Sequence, residues 1–71
     1  MTDRDRTELL SRLGELLQLC PEMRVGQLIA NLAVVARGIE PGAVYDMEDE
    51  ELLAAVQWQL TELRERRTEV A

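Results

Sequence analysis

Five acidic side chains within six consecutive positions are the densest group of candidate ligands in the chain: Asp46, Glu48, Asp49, Glu50 and Glu51. Such a group could chelate a hard cation or attract a basic partner. The segment lacks the alternating acids, turn glycine and terminal glutamate of a calcium loop. We favour a structural interpretation, in which the acids start a helix whose dipole stabilises each of them by about 0.3–1 kcal/mol. Among the functional interpretations, partner docking ranks above metal binding.

A polar stripe of Arg24, Gln27 and Asn31 recurs at steps of three and four residues along an otherwise apolar helical segment. If exposed, an arginine with two amides could bind a carboxylate or an extended peptide backbone. We favour the alternative, in which the stripe holds the loop of residues 38–45 or pairs with the acidic run, because buried polar groups need partners.

The only tryptophan and the only cysteine are the remaining candidates. Trp58 lies about 200° around its helix from Val56, at or beyond the edge of the apolar stripe. It could anchor an interface or cover another helix or a loop, and both interpretations stay open. Cys20 continues an apolar stripe, and no histidine is present to activate it. We therefore interpret Cys20 as a small buried apolar residue.

Several kinds of chemistry lack the residues they need. Without histidine and with one cysteine, the sequence offers no Ser/His/Asp set, no Cys/His metal site and no intrachain disulfide. We predict no catalytic residue, no cofactor and no metal, and an enzyme is the least expected class. A net charge of −6 argues against binding nucleic acid, which relies on basic residues.

Hydrophobic periodicity predicts three helices, at about residues 3–19, 22–37 and 47–67. Pro21 should end the first helix and occupy the first helical position of the second. Gly38 should end the second, Pro41 and Gly42 should form a type II turn, and Asp46 should cap the third together with Asp49. The predicted apolar positions are Leu9, Leu10, Leu13, Leu16, Leu17 and Cys20, then Val25, Leu28, Ile29, Leu32, Val35 and Ile39, then Leu52, Leu53, Val56, Leu60 and Leu63.

The second helix is apolar around most of its circumference, so we expect it to be the buried central one. Its small residues Gly26, Ala30 and Ala33 would let another helix approach closely. The result is one all-α, three-helix domain over residues 1–71. Because a chain of 71 residues buries only about 60% of the surface that its unfolded form exposes, we expect a homodimer or a larger assembly to complete it.

The sequence also shows neither of two common targeting patterns. No apolar run approaches the length of a transmembrane helix, and the polar, mixed-charge first residues do not resemble a signal peptide. We therefore expect a cytoplasmic protein that does not enter membranes.

The segment from Pro21 to Leu32 has the pattern Pro-x-x-Arg-x-Gly-Gln-Leu-x-x-Asn, and an acidic helix start follows it at Asp46. In these features the chain resembles a set of short uncharacterised bacterial proteins. The resemblance covers about the middle half of the chain. It implies a bacterial origin and no particular activity.

These observations predict a non-catalytic protein–protein interaction module or accessory subunit that acts by helix docking. The candidate partner-binding residues are Trp58, the polar stripe and the acidic run. The alternative is an acidic inhibitor, of the immunity-protein or antitoxin type, that covers a basic site on its partner.

Overall fold

The computed structural model describes the backbone of residues 3–70 and the side chains of residues 3–66. Within that range all regular structure is helical. The helices are α1 (Asp3–Leu19), α2 (Val25–Arg37), α3 (Ala43–Asp46) and α4 (Asp49–Val70). The prediction of an all-α fold is confirmed, and one short helix, α3, lies in a segment that was predicted to be a loop.

Three helices contribute to a single aliphatic core. Its buried members are Leu9, Leu16, Leu28, Leu32, Ala55, Val56 and Leu60. All of them except Ala55 belong to the predicted apolar stripes, which follow from the 3.6-residue period of a helix. The predicted stripe position Leu10 is wrong, because this side chain is 64% exposed on the outer side of α1.

The central helix is α4 and not α2. Helix α4 packs against both α1 and α2, and α2 also carries the short α3. Three predicted core positions of the second segment are exposed: Val25, Val35 and Ile39. The expectation of a central α2 is therefore wrong. The apolar content of a helix does not show whether the helix is buried on two sides or presents part of its apolar surface to solvent.

The start of α2 also differs from the prediction. The backbone N–H of Met23 donates to the carbonyl of Cys20 at 3.1 Å, so Pro21 and Glu22 are the central residues of a turn. Helix α2 begins at Val25, with Arg24 at its N-cap. Pro21 is therefore not the first residue of the second helix, although it does follow the end of α1.

Two glycines shape the connection from α2 to α4. Gly38 ends α2 with φ 74° and ψ −166°, a conformation essentially restricted to glycine. Gly42 has φ 78° and ψ 7°, and the N–H of Ala43 donates to the carbonyl of Glu40 at 3.1 Å. These values fit the predicted type II turn across Pro41 and Gly42. The following residues form α3, and Ala43 is buried.

The predicted cap of the last helix is displaced by two residues. Asp46 ends α3, and α4 begins at Asp49. The backbone N–H of Glu48 donates to Oε1 of Glu51 at 3.2 Å, which is the glutamate half of a capping box. A glutamate reaches back over three residues, and the shorter Asp49 does not take this role.

Candidate docking groove

An open groove of about 550 Å³ runs between α2 and α4. Its lining is mostly apolar and consists of Val35, Ala36, Ala54, Ala55 and Trp58, with Glu51. Ala36 and Ala55 pack toward the core, so they form the base. The groove is therefore an apolar surface that continues the core to the outside of the molecule.

The groove exists because α4 carries small side chains where it faces outward next to α2. Ala54 and Ala55 leave space one turn before Trp58, and Trp58 is 52% exposed. Across the groove, Val35 is 40% exposed. Trp58 is therefore not fully buried against α1 or a loop. About half of this residue, which has the largest side chain in the protein, remains available for contact.

Arg37 and Glu51 form a bidentate ion pair beside the groove. Nε of Arg37 donates to Oε2 of Glu51 and Nη2 donates to Oε1, both at 2.8 Å. Nη2 of Arg37 also donates to the backbone carbonyl of Asp46 at 3.3 Å. One guanidinium thus joins the last turn of α2, the end of α3 and the first turn of α4.

The electrostatic consequence is largest at Glu51. The Arg37 hydrogen bonds, followed by the backbone N–H of Glu48, lower the pKa of Glu51 from 4.5 to about 2. The same pair raises the pKa of Arg37. Both groups are therefore charged at neutral pH, and the negative charge of Glu51 is locally balanced.

The polar stripe does not hold the loop, which corrects the favoured interpretation. Gln27 accepts a hydrogen bond from the backbone N–H of Arg24 at 3.0 Å, and Asn31 Nδ2 lies 3.8 Å from the sulfur of Met23. All three stripe residues are exposed. Arg37 performs the predicted tethering. A sequence signal was present, because Arg37 is the only basic residue between Arg24 and Arg64 and it precedes the acidic run.

The acidic run lies largely where the helix dipole stabilises it. Asp49, Glu50 and Glu51 occupy the first turn of α4, in agreement with the structural interpretation. Asp49 lies 3.8 Å from Nε of Arg6 on α1. Residues 45–50 line a polar concavity of about 240 Å³. Among the residues that the structure describes, no group of three or more potential ligands is arranged to hold a metal ion.

Cys20 is half-buried and not fully buried as expected. It packs against the core and also lines a surface crevice of about 470 Å³. The rest of that crevice consists of Leu19, Pro21, Glu22, Met23 and Gln27. This crevice is separate from the α2/α4 groove, with which it shares no residue.

Further apolar side chains are exposed near the C-terminal end of α2, and none of them was predicted to lie at the surface. They are Val34, Ile39, Val44 and Tyr45. Ile39 and Tyr45 are 96% and 92% exposed. These four side chains add exposed apolar area outside the groove.

Comparison with known proteins yields no match to a family model, to a curated protein or to a solved structure. In the part of the chain that the structure describes, no helix combines the length and hydropathy needed to cross a bilayer. The resemblance to short bacterial proteins stays a prediction.

Proposed function

We propose that the protein is a non-catalytic protein–protein interaction module, an accessory or regulatory subunit of the bacterial cytoplasm that binds partners by helix docking. The α2/α4 groove is the docking site. The observation that carries this proposal is Trp58, which is half exposed beside two alanines in an apolar groove. Large aromatic side chains in such settings contribute much of the binding energy at interfaces.

The groove also has the form that helix docking requires. Two helices form its sides, and small residues in its base allow a third helix to approach their backbones. Without a partner, we expect two copies to cover Trp58 mutually and form a homodimer. The exposed polar stripe of Arg24, Gln27 and Asn31 would orient a bound partner from the outer side of α2.

An acidic inhibitor is the second candidate, and the position of the charge favours it. Outside residues 46–51 the chain has nine acidic and eight basic residues, so this segment supplies five of the six net negative charges. An inhibitor that covers a basic site would bind mainly through this segment. Its affinity would fall steeply with salt, whereas docking through apolar surface would be only weakly salt-sensitive.

Two matched variants test the docking site. Ala54→Gln places a polar side chain in the groove, and Ala30→Gln makes the same change at an exposed position of α2 that does not line it. Burial of an unpaired amide costs about 1–3 kcal/mol, so we expect Ala54→Gln to weaken partner binding by roughly 5- to 150-fold. Ala30→Gln should bind like the wild type.

The measurement is affinity capture of the tagged protein from its native host, with sedimentation of the eluted complex. A second protein in fixed ratio that is captured by wild type and Ala30→Gln but lost with Ala54→Gln supports the docking module. A partner that Ala54→Gln retains and moderate salt removes supports the acidic inhibitor. Equal recovery of the bare monomer from all three proteins would contradict both proposals.

A further inference from the structure

The charge of the molecule is concentrated at one end of the α2/α4 groove. Glu51 belongs both to the groove lining and to the acidic run. The run continues from there through exposed Asp46, Glu48 and Glu50. The rest of the lining is uncharged, namely Val35, Ala36, Ala54, Ala55 and Trp58. The groove is therefore apolar along its length, and the acidic run begins at the end of the groove where α4 begins.

The ion pair with Arg37 does not neutralise this end. Arg37 is bound to Glu51 in bidentate geometry, so its charge balances one carboxylate of the run. Arg6 lies 3.8 Å from Asp49 and balances a second in part. Asp46 and Glu48 are exposed and add two more negative charges, and residues 38–63 contain no basic residue. A ligand that reaches this end meets a net negative field.

A second copy of the chain fits this field poorly. Two grooves facing each other in the same direction would bring the acidic ends together, and like charges at an interface oppose binding. In the opposite direction each acidic end would meet the second half of α4, where residues 59–70 contain three acidic and three basic residues and therefore no charge excess. Self-association would therefore rest on apolar contact alone.

From this polarity we infer that the groove binds an amphipathic helix with lysine or arginine in one terminal turn, beyond an apolar stripe. The stripe contacts Trp58 and the alanines, and the basic turn lies against the acidic run. The inference rests on the proposed docking function and names the chemistry of the partner. A helix of this kind gains both apolar burial and opposite charge, so it displaces a second copy from the groove.

Three synthetic helical peptides of about 18 residues test the inference, a length at which an amphipathic helix forms on binding. All carry the same leucine stripe and contain no aromatic residue. They differ only in one terminal turn, which holds lysine, glutamine or glutamate. Trp58 is the only tryptophan, so its emission reports directly on groove occupancy. Sedimentation of the same samples reports whether a second copy is displaced.

We expect the lysine peptide to shift Trp58 emission to the blue and to bind about tenfold more tightly than the glutamate peptide at low salt. The difference should shrink as salt screens the charges. Ala54→Gln should weaken binding of the lysine peptide, and Ala30→Gln should not. The combined variant Asp46→Asn, Glu48→Gln, Glu50→Gln should remove the preference for lysine while binding of the glutamine peptide stays unchanged.

Equal binding of the three peptides would overturn the inference. So would lysine-specific binding that ignores Ala54→Gln, since that result places the peptide on the acidic run outside the groove. If no peptide binds but Ala54→Gln dissociates a dimer, the inference fails while the groove remains an interface. If Ala54→Gln changes neither peptide binding nor association, the proposed docking function fails as well.

Discussion

Arg37 links three separate helices through one side chain. Its guanidinium holds both carboxylate oxygens of Glu51 and the carbonyl of Asp46, so α2, α3 and the start of α4 share one polar contact. The planar fork of arginine makes this geometry available, and lysine would supply a single point charge. The side chains of Arg37 and Glu51 are 27% and 32% exposed, so solvent reaches the pair. We interpret the contact as one that sets the position of α4 relative to α2.

The pH dependence of stability tests this interpretation. The pKa of Glu51 is about 2 in the folded protein and 4.5 without its partners, because Arg37 and the Glu48 N–H favour the carboxylate. A lowered folded-state pKa contributes stability that is present above pH 4.5 and is lost as the pH falls toward 2. We expect the thermal midpoint of the wild type to fall more steeply across this window than that of Glu51→Gln.

Arg37→Gln provides the matched control for that measurement. It keeps Glu51 but removes the main cause of its low pKa, so its pH profile should resemble that of Glu51→Gln. At neutral pH both variants should melt roughly 2–4 °C below the wild type, as expected for one lost, partly exposed pair in a small domain. Parallel pH profiles for all three proteins would show that the pair does not lower the pKa of Glu51.

At the level of elements, α4 is the helix on which the others pack. Val56 on α4 is fully buried, whereas Val35 on α2 is 40% exposed in the groove. Both residues lie within helices, Val56 in the interior of α4 and Val35 in the last turn of α2, and they differ most in burial. This pair distinguishes a central α4 from the central α2 that the sequence pattern predicted.

We expect Val56→Ala to lower the free energy of unfolding by about 2 kcal/mol, since it removes two buried methyl groups and leaves a cavity. Val35→Ala should change it by less than about 0.5 kcal/mol, as is usual for surface positions. Urea unfolding of the dilute protein, in which no second copy covers the groove, measures both values by circular dichroism. If Val35→Ala lowers the free energy of unfolding more than Val56→Ala does, the central position of α4 is contradicted and a central α2 is supported.

The sequence predicted the helices, the end of α1, the Gly38 terminus and the type II turn, because each depends on local periodicity or on proline and glycine. It misplaced the central helix. Burial depends on which helices pack together, and α2, although it is the more apolar helix, presents part of its apolar surface to solvent, whereas α4 packs against both α1 and α2. It also assigned the tether to Arg24 instead of Arg37, since spacing along one helix does not show which end meets the next element.

The candidate groove could likewise be predicted only in part from the sequence. Trp58 was identified as an interface candidate from its angle around the helix. The groove itself could not be predicted, because it requires Val35 and Ala36 to lie opposite Ala54 and Ala55 in the packed molecule. The exposure of Tyr45 likewise depends on α3, a helix in a segment that was predicted to be a loop.

At the scale of the whole molecule, the small size of the chain and its exposed apolar side chains couple its stability to its association. A domain of 71 residues is marginal by itself, and this one exposes eight large apolar side chains among the residues described, Trp58 included. If association through the groove buries some of them, the folded state gains free energy with every copy that binds. Stability should then depend on protein concentration.

We therefore expect the thermal midpoint to rise by several degrees over about a hundredfold increase in concentration, which can add up to about 2.7 kcal/mol to a folded state that binds its own copy. Ala54→Gln should abolish this rise without lowering the midpoint of the dilute protein, because Ala54 is exposed in the single chain. Ala30→Gln should retain it. If the thermal midpoint of the wild type does not depend on protein concentration, the homodimer is excluded. The groove would then bind only partners other than a second copy.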